Sequence, residues 1–323
     1  MGEFSSFLHS QLLITPLKPT KDFTGETIIV TGSNTGLGFG AVRHLSRLNA
    51  GLIIMAIWNL SKGAAAKTAI LESTGRPRNS IEVWEVDLQS FDSVKAFVAK
   101  ANQLQRIDAV IESAGIMTSY FKLVEGYEST IATNVIGTFL LGLLILPKLK
   151  ESASRFDIRP HLSIVSSDRH SAASFPERDS EDIFGALNDE THAQLGDERY
   201  ASPKIALFLF SGEELVAILL TNNYYAGRYA VSKLLELLIM RELGSLLSKG
   251  GSRSPGVIVN CMTPGLCKSG FMREVNGFSK VVTLILLSLF ARSAKAGGKI
   301  LVTAIEVGEE SNGCYLRDSY IQE

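Results

Sequence analysis

A tyrosine and a lysine four positions apart are the residues of this sequence with the clearest capacity for chemistry. Tyr229 and Lys233 stand in the sequence YAVSK, and the pattern that follows, LLELLIMREL, is that of an amphipathic helix. Residues four apart on a helix share one face, so we expect the ammonium group of Lys233 to lie near the phenol of Tyr229. A nearby positive charge lowers a tyrosine pKa from its ordinary value of about 10. Tyr229 could then take a proton from an alcohol or give one to a carbonyl.

A glycine-rich turn indicates what this proton transfer would be coupled to. The apolar sequence TIIV at Thr27–Val30 runs directly into TGSNTGLG at Thr31–Gly38, and helical spacing follows over Phe39–Leu48. Glycines let the backbone turn tightly and approach a pyrophosphate, which then meets the N–H groups of the helix. A P-loop is excluded because no Gly-Lys-Ser/Thr sequence follows. The turn predicts dinucleotide binding, and an ordinary tight turn between strand and helix is the alternative.

Apolar strands that alternate with helical segments would have to position these residues. Continuously apolar strands are typical of a parallel sheet that is covered on both faces, and right-handed crossovers make such a sheet doubly wound. We therefore predict an α/β fold in a single domain that spans the chain. The predicted strands are Thr27–Val30, Leu52–Ile57, Ile81–Val86, Ile107–Ile111, Leu162–Val165, Val257–Asn260 and Gly313–Leu316, and the later helices are Lys62–Glu72, Ser90–Leu104 and Tyr127–Lys150.

Composition and charge exclude several classes of protein. The 323 residues include 32 basic and 33 acidic side chains, a formal net charge of −1, which argues against a dedicated nucleic-acid binder. The three cysteines show no CxxC spacing and the five histidines are scattered, so we predict neither a disulfide framework nor a metal site. A reducing, cytoplasmic location is the expectation.

The apolar segments are predicted to belong to a globular protein rather than to cross a membrane. The stretch Val281–Phe290 is too short to span a bilayer, and Glu213 and Glu214 interrupt the apolar run Ile205–Leu220. The segment Phe4–Leu17 lacks the basic start and small-residue cleavage site of a signal peptide. We predict that residues 1–20 contain a helix packed on the domain, and peripheral contact with a membrane surface is the alternative.

The order of the motifs resembles that of the short-chain dehydrogenase/reductase family. The glycine turn is similar to the family's TGxxxGxG, and Glu112-Ser113-Ala114-Gly115 is similar to its NNAG segment. The other matching positions are Asp87 after the third strand, Asn134 in TNVIG, Ser166–Ser167 after the fifth strand, the YxxxK of Tyr229 and Lys233, and Pro264–Gly265 after the sixth strand. Three segments are similar to segments of fungal enzymes of the retinol-dehydrogenase-like kind, many of which belong to secondary metabolism. These segments are Asp22–Gly25 (DFTG), Asn59–Gly63 (NLSKG) and Ser166–His170 (SSDRH).

The resemblance implies a Rossmann-type fold, an NAD(P) cofactor and individual catalytic roles. Tyr229 would be the acid–base group and Lys233 its electrostatic partner. Ser167 would position the reacting oxygen, and Asn134 would hold a water that links Lys233 to solvent. The implied cofactor-binding residues are Gly32, Ser33, Asn34, Gly36, Leu37, Gly38, Lys62, Asp87, Ser113, Ala114, Gly115, Asn134, Tyr229 and Lys233.

This sequence departs from the family's pattern at three places, the first of which is Glu112, which puts a carboxylate near the cofactor cleft. Ser113 stands where the family has an asparagine, whose amide makes hydrogen bonds that hold adjoining strands around the cofactor. The family also usually continues into another helix after the last strand, here Gly313-Cys314-Tyr315. Part of the substrate wall is therefore expected to be missing.

The end of the second strand predicts the preferred cofactor. Relatives that prefer NAD carry an acidic residue there to bind the ribose hydroxyls, but this chain has Ile57 followed by Trp58. A 2′-phosphate would meet no negative charge at this position, and Lys62 could supply a positive partner. We therefore expect NADP, with NAD as the alternative.

A second YxxxK, at Tyr200 and Lys204, competes with the first for the catalytic role. Pro203 suits the middle of a helix poorly, and the apolar run after Lys204 lacks amphipathic spacing, so we select Tyr229. Tyr229 lies 62 positions beyond Ser167, whereas Tyr200 lies 33 beyond it, nearer to the spacing of the fungal enzymes. We interpret residues 200–228 as an insertion, and a retained intron translated in frame is one origin for it.

The predicted function is the NADP-dependent interconversion of a hydrophobic secondary alcohol and ketone in a biosynthetic pathway. The apolar region 266–300, with Phe271, Met272 and Phe278, is the expected substrate lid, and a buried helix without substrate contact is its alternative. Homo-oligomers are common among resembling enzymes. A catalytically silent nucleotide-binding protein is the rival from another class, because the inserted segment adjoins Tyr229. NAD-dependent alcohol oxidation of the retinol-dehydrogenase kind is the enzymatic alternative.

Overall fold

A sheet of eight strands lies at the centre of the computed structural model, which describes residues 7–118, 120–190, 224–249, 256–268, 270, 284 and 287–322. Neighbouring strands run parallel except at the edge pair β9–β10, which is antiparallel. The order across the sheet is β10-β9-β8-β7-β4-β1-β2-β3. The strands are β1 (Thr27–Thr31), β2 (Leu52–Ile57), β3 (Ile81–Glu85), β4 (Ala109–Glu112), β7 (His161–Val165), β8 (Ile258–Thr263), β9 (Tyr315–Arg317) and β10 (Tyr320–Gln322). A separate hairpin pairs β5 (Leu123–Val124) with β6 (Tyr127–Glu128).

Helices cover both faces of the sheet, as continuously apolar strands require. Every residue of β1 and of β8 is buried, because helices pack above and below these strands. The helices are α1 (Gly36–Arg47), α2 (Leu60–Thr74), α3 (Phe91–Ala101), α4 (Thr138–Phe156), α5 (Ile183–Leu187), α6 (Tyr224–Lys249) and α7 (Ala294–Thr303). The predicted α/β fold with a doubly wound parallel sheet is therefore confirmed.

The strand order places the ligand crevice of this fold between β1 and β4. The chain proceeds from β1 to β2 and β3 on one side, and β4, β7 and β8 lie on the other side. In open α/β sheets ligands bind beyond the carboxyl ends of the strands where the order reverses. The glycine turn follows β1 at this point, and Ser113 follows β4.

A π-helical turn precedes α4 and holds Asn134. The turn spans Ala132–Gly137 and continues from the short helical segment Ser129–Ile131. Among the described residues, Ser129–Phe156 is the helix long and apolar enough to cross a membrane, with 28 residues, but 78% of its most apolar window is buried inside the protein. Packing in the core accounts for this apolar character.

The structure corrects several predicted boundaries. The predicted helix Tyr127–Lys150 begins only after β6, because Tyr127 and Glu128 pair with the preceding strand, and helical structure extends to Phe156. The last strand of the prediction, Gly313–Leu316, begins at Tyr315 because Gly313 has a φ of +73° and forms a turn. The predicted N-terminal helix also ends early, since Ile14 is extended and Pro16 follows.

The N-terminal segment packs through polar rather than apolar side chains. Ser10 and Gln11 are buried, whereas Leu12 and Leu13 are 56% and 74% exposed. The Ser10 hydroxyl donates to Asp318 Oδ2 at 2.6 Å, and Arg292 donates to the carbonyl oxygen of Ser10. The segment therefore packs on the domain through Ser10 and Gln11, and peripheral contact with a membrane surface stays a prediction.

Candidate active site

The glycine turn has the backbone conformation that only glycine adopts easily. Gly32 and Gly36 have φ angles of +63° and +59°. A Cβ atom on Gly32 would lie 2.8 Å from the Cα of Ala114, so the turn after β1 touches the turn after β4 directly. Ser33 is fully buried, and its hydroxyl donates to Val30 O at 2.9 Å. The turn is therefore fixed to the end of its strand before α1 begins at Gly36.

Thr31 joins the two turns that flank the crevice. Its Oγ1 accepts hydrogen bonds from the backbone N–H groups of Ser113 and Ala114, each at 2.9 Å. The loss of the asparagine amide at position 113 led us to expect a weaker connection here. The Thr31 hydroxyl supplies this connection. Thr31 is the first residue of the glycine-turn motif, but it was not among the predicted site residues.

Asn134 connects the π turn with two other parts of the site. Its Oδ1 accepts from Ile116 N at 2.8 Å, and its Nδ2 donates to Ile116 O at 2.9 Å and to Ser232 Oγ at 3.1 Å. A Cβ atom on Gly115 would lie 3.1 Å from Asn134 Oδ1, so a larger residue at position 115 would crowd the amide. The π turn is a common device at functional sites because it re-aims one side chain within a helix.

The structure brings Tyr229, Lys233 and Ser167 together. Lys233 Nζ lies 5.4 Å from the centroid of the Tyr229 ring, and the Ser167 hydroxyl forms a hydrogen bond with the Tyr229 phenol. Lys233 is buried and donates to Val165 O at 2.9 Å and to Glu236 Oε1 at 2.7 Å. Ser167 also accepts from Arg169 N at 3.3 Å, which fixes the turn after β7.

The pKa of Tyr229 is raised, whereas the sequence led us to expect that Lys233 would lower it. Burial among protein atoms raises the Tyr229 pKa above its ordinary value, although Lys233 and the hydrogen bond from Ser167 lower it. The negative charge of Glu236 also raises the Tyr229 pKa. The predicted effect of Lys233 is therefore present, but the phenol is protonated at neutral pH in this structure.

Two buried glutamates near Lys233 were not among the predicted site residues. Glu236 on α6 and Glu112 at the end of β4 are each about 1% exposed. Neither carboxylate oxygen of Glu112 has a hydrogen-bond partner among the described residues. Burial and the charge of Glu236 raise the Glu112 pKa well above its ordinary value. The sequence signal was a single charge within the apolar run LLELL, which does not by itself distinguish a buried residue from an exposed one.

The second strand ends as the cofactor prediction requires. Ile57 is buried at the end of β2, and Trp58 after it is exposed. Asn59 caps α2 by accepting from Lys62 N at 2.9 Å, and Lys62 Nζ lies 5.7 Å from the centroid of the Trp58 ring. Asp87, after β3, is exposed and uses Oδ1 to accept from Gln89 N at 2.9 Å.

An open cavity of about 580 Å³ adjoins the glycine turn. Thr35 and Gly36 line it on one side, and Lys268, Leu284 and Leu287 line it on the other. Gly36, at the start of α1, lines the cavity without a side chain, so a pyrophosphate can approach the backbone there and the residues present fit a dinucleotide. Lys268 was not predicted, although it lies only three positions beyond Gly265. Phe271, Met272 and Phe278 of the expected lid lie outside the described residues.

A buried ion pair links the first part of α6 to the loop after β7. Arg228 donates to Glu177 Oε1 at 2.5 Å, and both residues are buried. Arg228 directly precedes Tyr229, so this contact helps to place the phenol. Tyr200 and Lys204, with the rest of residues 191–223, lie outside the described residues. The predicted insertion 200–228 therefore overlaps the structure only at its end.

Comparisons with known proteins identify close sequence similarity over nearly the whole chain. Residues 26–155 match the family described as short chain dehydrogenase. The chain is 38% identical to the short-chain dehydrogenase anuD of Penicillium roqueforti, over 98% of this chain and 75% of that protein. It is 39% identical to the short chain dehydrogenase atnD of Emericella nidulans, over 98% of this chain and 91% of that protein.

Solved structures share the fold at low sequence identity. A short-chain dehydrogenase/reductase from Brucella melitensis matches 94% of this chain and 100% of its own, with a TM-score of 0.61 and 16% identity. A short chain dehydrogenase from Shigella flexneri complexed with NADP matches 93% of this chain and 100% of its own, with a TM-score of 0.57 and 17% identity.

Proposed function

Because this chain belongs to the short-chain dehydrogenase/reductase family of NAD(P)-dependent oxidoreductases, which act on CH–OH groups, we propose that it interconverts a hydrophobic secondary alcohol and ketone with NADP. Tyr229 is the acid–base group of this reaction. One observation carries the proposal, namely the grouping of Tyr229, Lys233, Ser167 and Asn134 at the carboxyl edge of β4 and β7.

Each of the four residues has a role that its contacts support. Tyr229 gives a proton to a carbonyl oxygen or takes one from an alcohol, and Ser167 shares a hydrogen bond with that phenol and positions the reacting oxygen. Lys233 has three N–H donors, of which two are used by Val165 O and Glu236, so one is left for the ribose of the cofactor. Asn134 is held by Ile116 and Ser232 and would anchor a water on the proton path. The bound nicotinamide supplies or accepts the hydride.

The preference for NADP rests on the residues after β2. The side chain of Ile57 is apolar and buried, and Lys62 stands in the first turn of α2 with Trp58 beside it. This arrangement offers a cation and no carboxylate from β2 to a 2′-phosphate. The NADP in the Shigella flexneri structure is a property of that protein and is consistent with this assignment.

The setting of the activity is a further part of the proposal. The relatives named above come from the fungi Penicillium roqueforti and Emericella nidulans, which is consistent with a fungal enzyme. A place in secondary metabolism rests on the segments DFTG, NLSKG and SSDRH of this sequence. The three cysteines are free, Cys261 and Cys267 being buried, which suits a reducing cytoplasm. A catalytically silent nucleotide binder is the second candidate, and the position of residues 200–228 directly before Tyr229 favours it.

Kinetics and cofactor binding of the full chain and its Tyr229→Phe variant test the proposal. With NADPH and benzil, a hydrophobic diketone, we expect turnover by the full chain and a loss of about a hundred- to ten-thousand-fold in kcat/KM for Tyr229→Phe. NADPH binding, followed by fluorescence titration, should change little in the variant. The control is Tyr320→Phe, which makes the same change at an exposed tyrosine of β10 and should leave turnover unchanged.

Each other outcome has a distinct meaning. Turnover that survives in Tyr229→Phe would contradict the assignment of the acid–base group. If the full chain binds NADPH but reduces neither benzil nor other hydrophobic ketones and aldehydes, the silent nucleotide binder is correct instead.

A further inference from the structure

Glu236 gives Lys233 a second charged partner within the site. Glu236 lies one turn after Lys233 on α6, and the two side chains are 2.7 Å apart at Nζ and Oε1. Both are buried, with side-chain exposures of 5% and 2%. A buried ion pair of this kind leaves little net positive charge at the lysine. The phenol of Tyr229 therefore faces a paired cation rather than an isolated one.

Glu112 lies nearby but contributes no charge. Its carboxylate approaches α4 at Gly142, where a Cβ atom would lie 3.2 Å from Glu112 Oε1. Both of its oxygens lack a hydrogen-bond partner among the described residues, and an ionised carboxylate cannot remain buried in that state. Glu112 is therefore the neutral acid. Burial raises the Glu236 pKa as well, but the charge and the hydrogen bond of Lys233 lower it, so we assign Glu236 as the ionised carboxylate.

The remaining groups around the pair are few. Arg169, on the turn after β7, acts on Tyr229 and lowers its pKa. Cys261 of β8 faces Lys233 and Glu236, and burial raises its thiol pKa, so it is uncharged at neutral pH. Burial lowers the Lys233 pKa, but Glu236 and Tyr229 together outweigh this effect and raise it. Among the described residues, the site thus holds a protonated phenol, an ammonium group and one carboxylate, with the guanidinium of Arg169 close enough to act on the phenol.

We propose that Glu236 retains the proton on the Tyr229–Lys233 pair and thereby extends to higher pH the range in which this site can give a proton to a carbonyl oxygen. The proposal rests on the proposed role of Tyr229. In the reductive direction the carbonyl carbon receives a hydride from the reduced nicotinamide, which is oxidised, and the carbonyl oxygen takes the phenolic proton. The phenolate then regains a proton from solvent. A negative charge beside the pair makes each loss of a proton from it less favourable, whichever of the two groups releases it.

The pH dependence of benzil reduction in three glutamine variants tests this inference. In Glu236→Gln, we expect the alkaline fall of kcat/KM to move to lower pH by roughly one unit, because one buried negative charge is lost. Glu112→Gln replaces a neutral acid with a neutral amide of the same shape, so its alkaline fall should stay in place. Glu242→Gln makes the same change at an exposed position of α6 and should match the unchanged chain.

The outcomes separate this inference from the proposed function. If benzil is reduced and Tyr229→Phe is inactive, but Glu236→Gln retains the pH profile of the full chain, Tyr229 keeps its role and the role of Glu236 is wrong. If Glu112→Gln shifts the profile as much as Glu236→Gln does, Glu112 is ionised and the single-carboxylate assignment is wrong.

A spectroscopic titration covers the case in which no substrate is turned over. The tyrosinate absorbance of the full chain minus that of Tyr229→Phe reports ionisation of Tyr229 among the eight tyrosines. The same difference measured in the Glu236→Gln background should show ionisation at lower pH. Equal titration midpoints in the two backgrounds would overturn the proposal, and circular dichroism of each variant checks that it is folded.

Discussion

At the scale of single residues, the proposed preference for NADP leads to a prediction at Lys62. Its side chain is exposed at the first turn of α2, and Asn59 fixes that turn by capping it. An exposed charge-assisted contact contributes about 1.5 kcal/mol, or roughly tenfold in affinity. We predict that Lys62→Ala weakens NADPH binding about tenfold and changes NADH binding less than twofold. Fluorescence titration with each cofactor measures this.

Lys67→Ala is the matched control for Lys62, because it removes the same side chain one turn and a half further along α2. It should leave both affinities unchanged. An equal loss of NADPH and NADH affinity in Lys62→Ala would show that the lysine acts on the helix rather than on a 2′-phosphate.

The residues that sequence reasoning identified and those that it missed differ in a physical way. Tyr229 and Lys233 were predictable, since their spacing alone places them on one helix face. The importance of Thr31 and Glu236 depends on what packs against them. Thr31 acts on a turn more than 80 positions away, at Ser113 and Ala114. Residue types and local spacing carry no information about such contacts.

At the scale of the elements, two glycines allow α1 and α7 to touch at their backbones. A Cβ atom on Gly298 would lie 2.5 Å from the carbonyl carbon of Gly40, and one on Gly40 would lie 2.5 Å from Ala294 O. Because α1 begins in the glycine turn, this contact supports the position of the turn. Helix α1 was predicted from the spacing over Phe39–Leu48, but α7 was not predicted. Their close approach was not predicted either, since isolated glycines in a helix have many causes.

We predict that Gly298→Ala destabilises the protein by about 1–3 kcal/mol and weakens NADPH binding. The added methyl group meets backbone atoms that cannot rotate away, so α7 has to move from α1. Urea denaturation measures the stability, and fluorescence titration measures the binding. Gly227→Ala is the control, because its Cβ would have no atom within 4 Å. Equal stability of the two variants would contradict the close packing.

Prediction of the elements worked best where one uniform pattern filled the whole element. The apolar run at Leu52–Ile57 gave the bounds of β2 correctly. The pattern over Tyr127–Lys150 failed at its start, because a two-residue strand and a π turn have no periodicity of their own. Short pairings such as β5–β6 and β9–β10 depend on the turns between them, where Glu125 and Asp318 have positive φ.

At the scale of the whole molecule, buried polar contacts join distant parts of the chain. Arg292 contacts Asp318 at 2.5 Å and Pro264 O at 3.3 Å, and it also reaches the carbonyl oxygens of Ser10 and Ile14. These contacts attach the N-terminal segment and β10 to the loop after β8. The ion pair between Arg228 and Glu177 attaches α6 to the loop after β7. Within the described residues, these contacts join the parts of the chain that surround the site.

The final prediction concerns the proposed insertion. Removal of residues 200–228 places Arg199 directly before Tyr229, so the guanidinium that pairs with Glu177 is supplied again. We therefore predict that the shortened chain folds, binds NADPH at least as tightly as the full chain and reduces benzil. Fluorescence titration and benzil reduction, run on both chains, measure this. Arg199→Ala in the shortened chain should weaken both properties, because Glu177 is then buried without its partner. Loss of NADPH binding on deletion would show that residues 200–228 belong to the functional fold. Binding by the shortened chain alone would instead mean that this segment blocks the site, and that the full chain is the silent form.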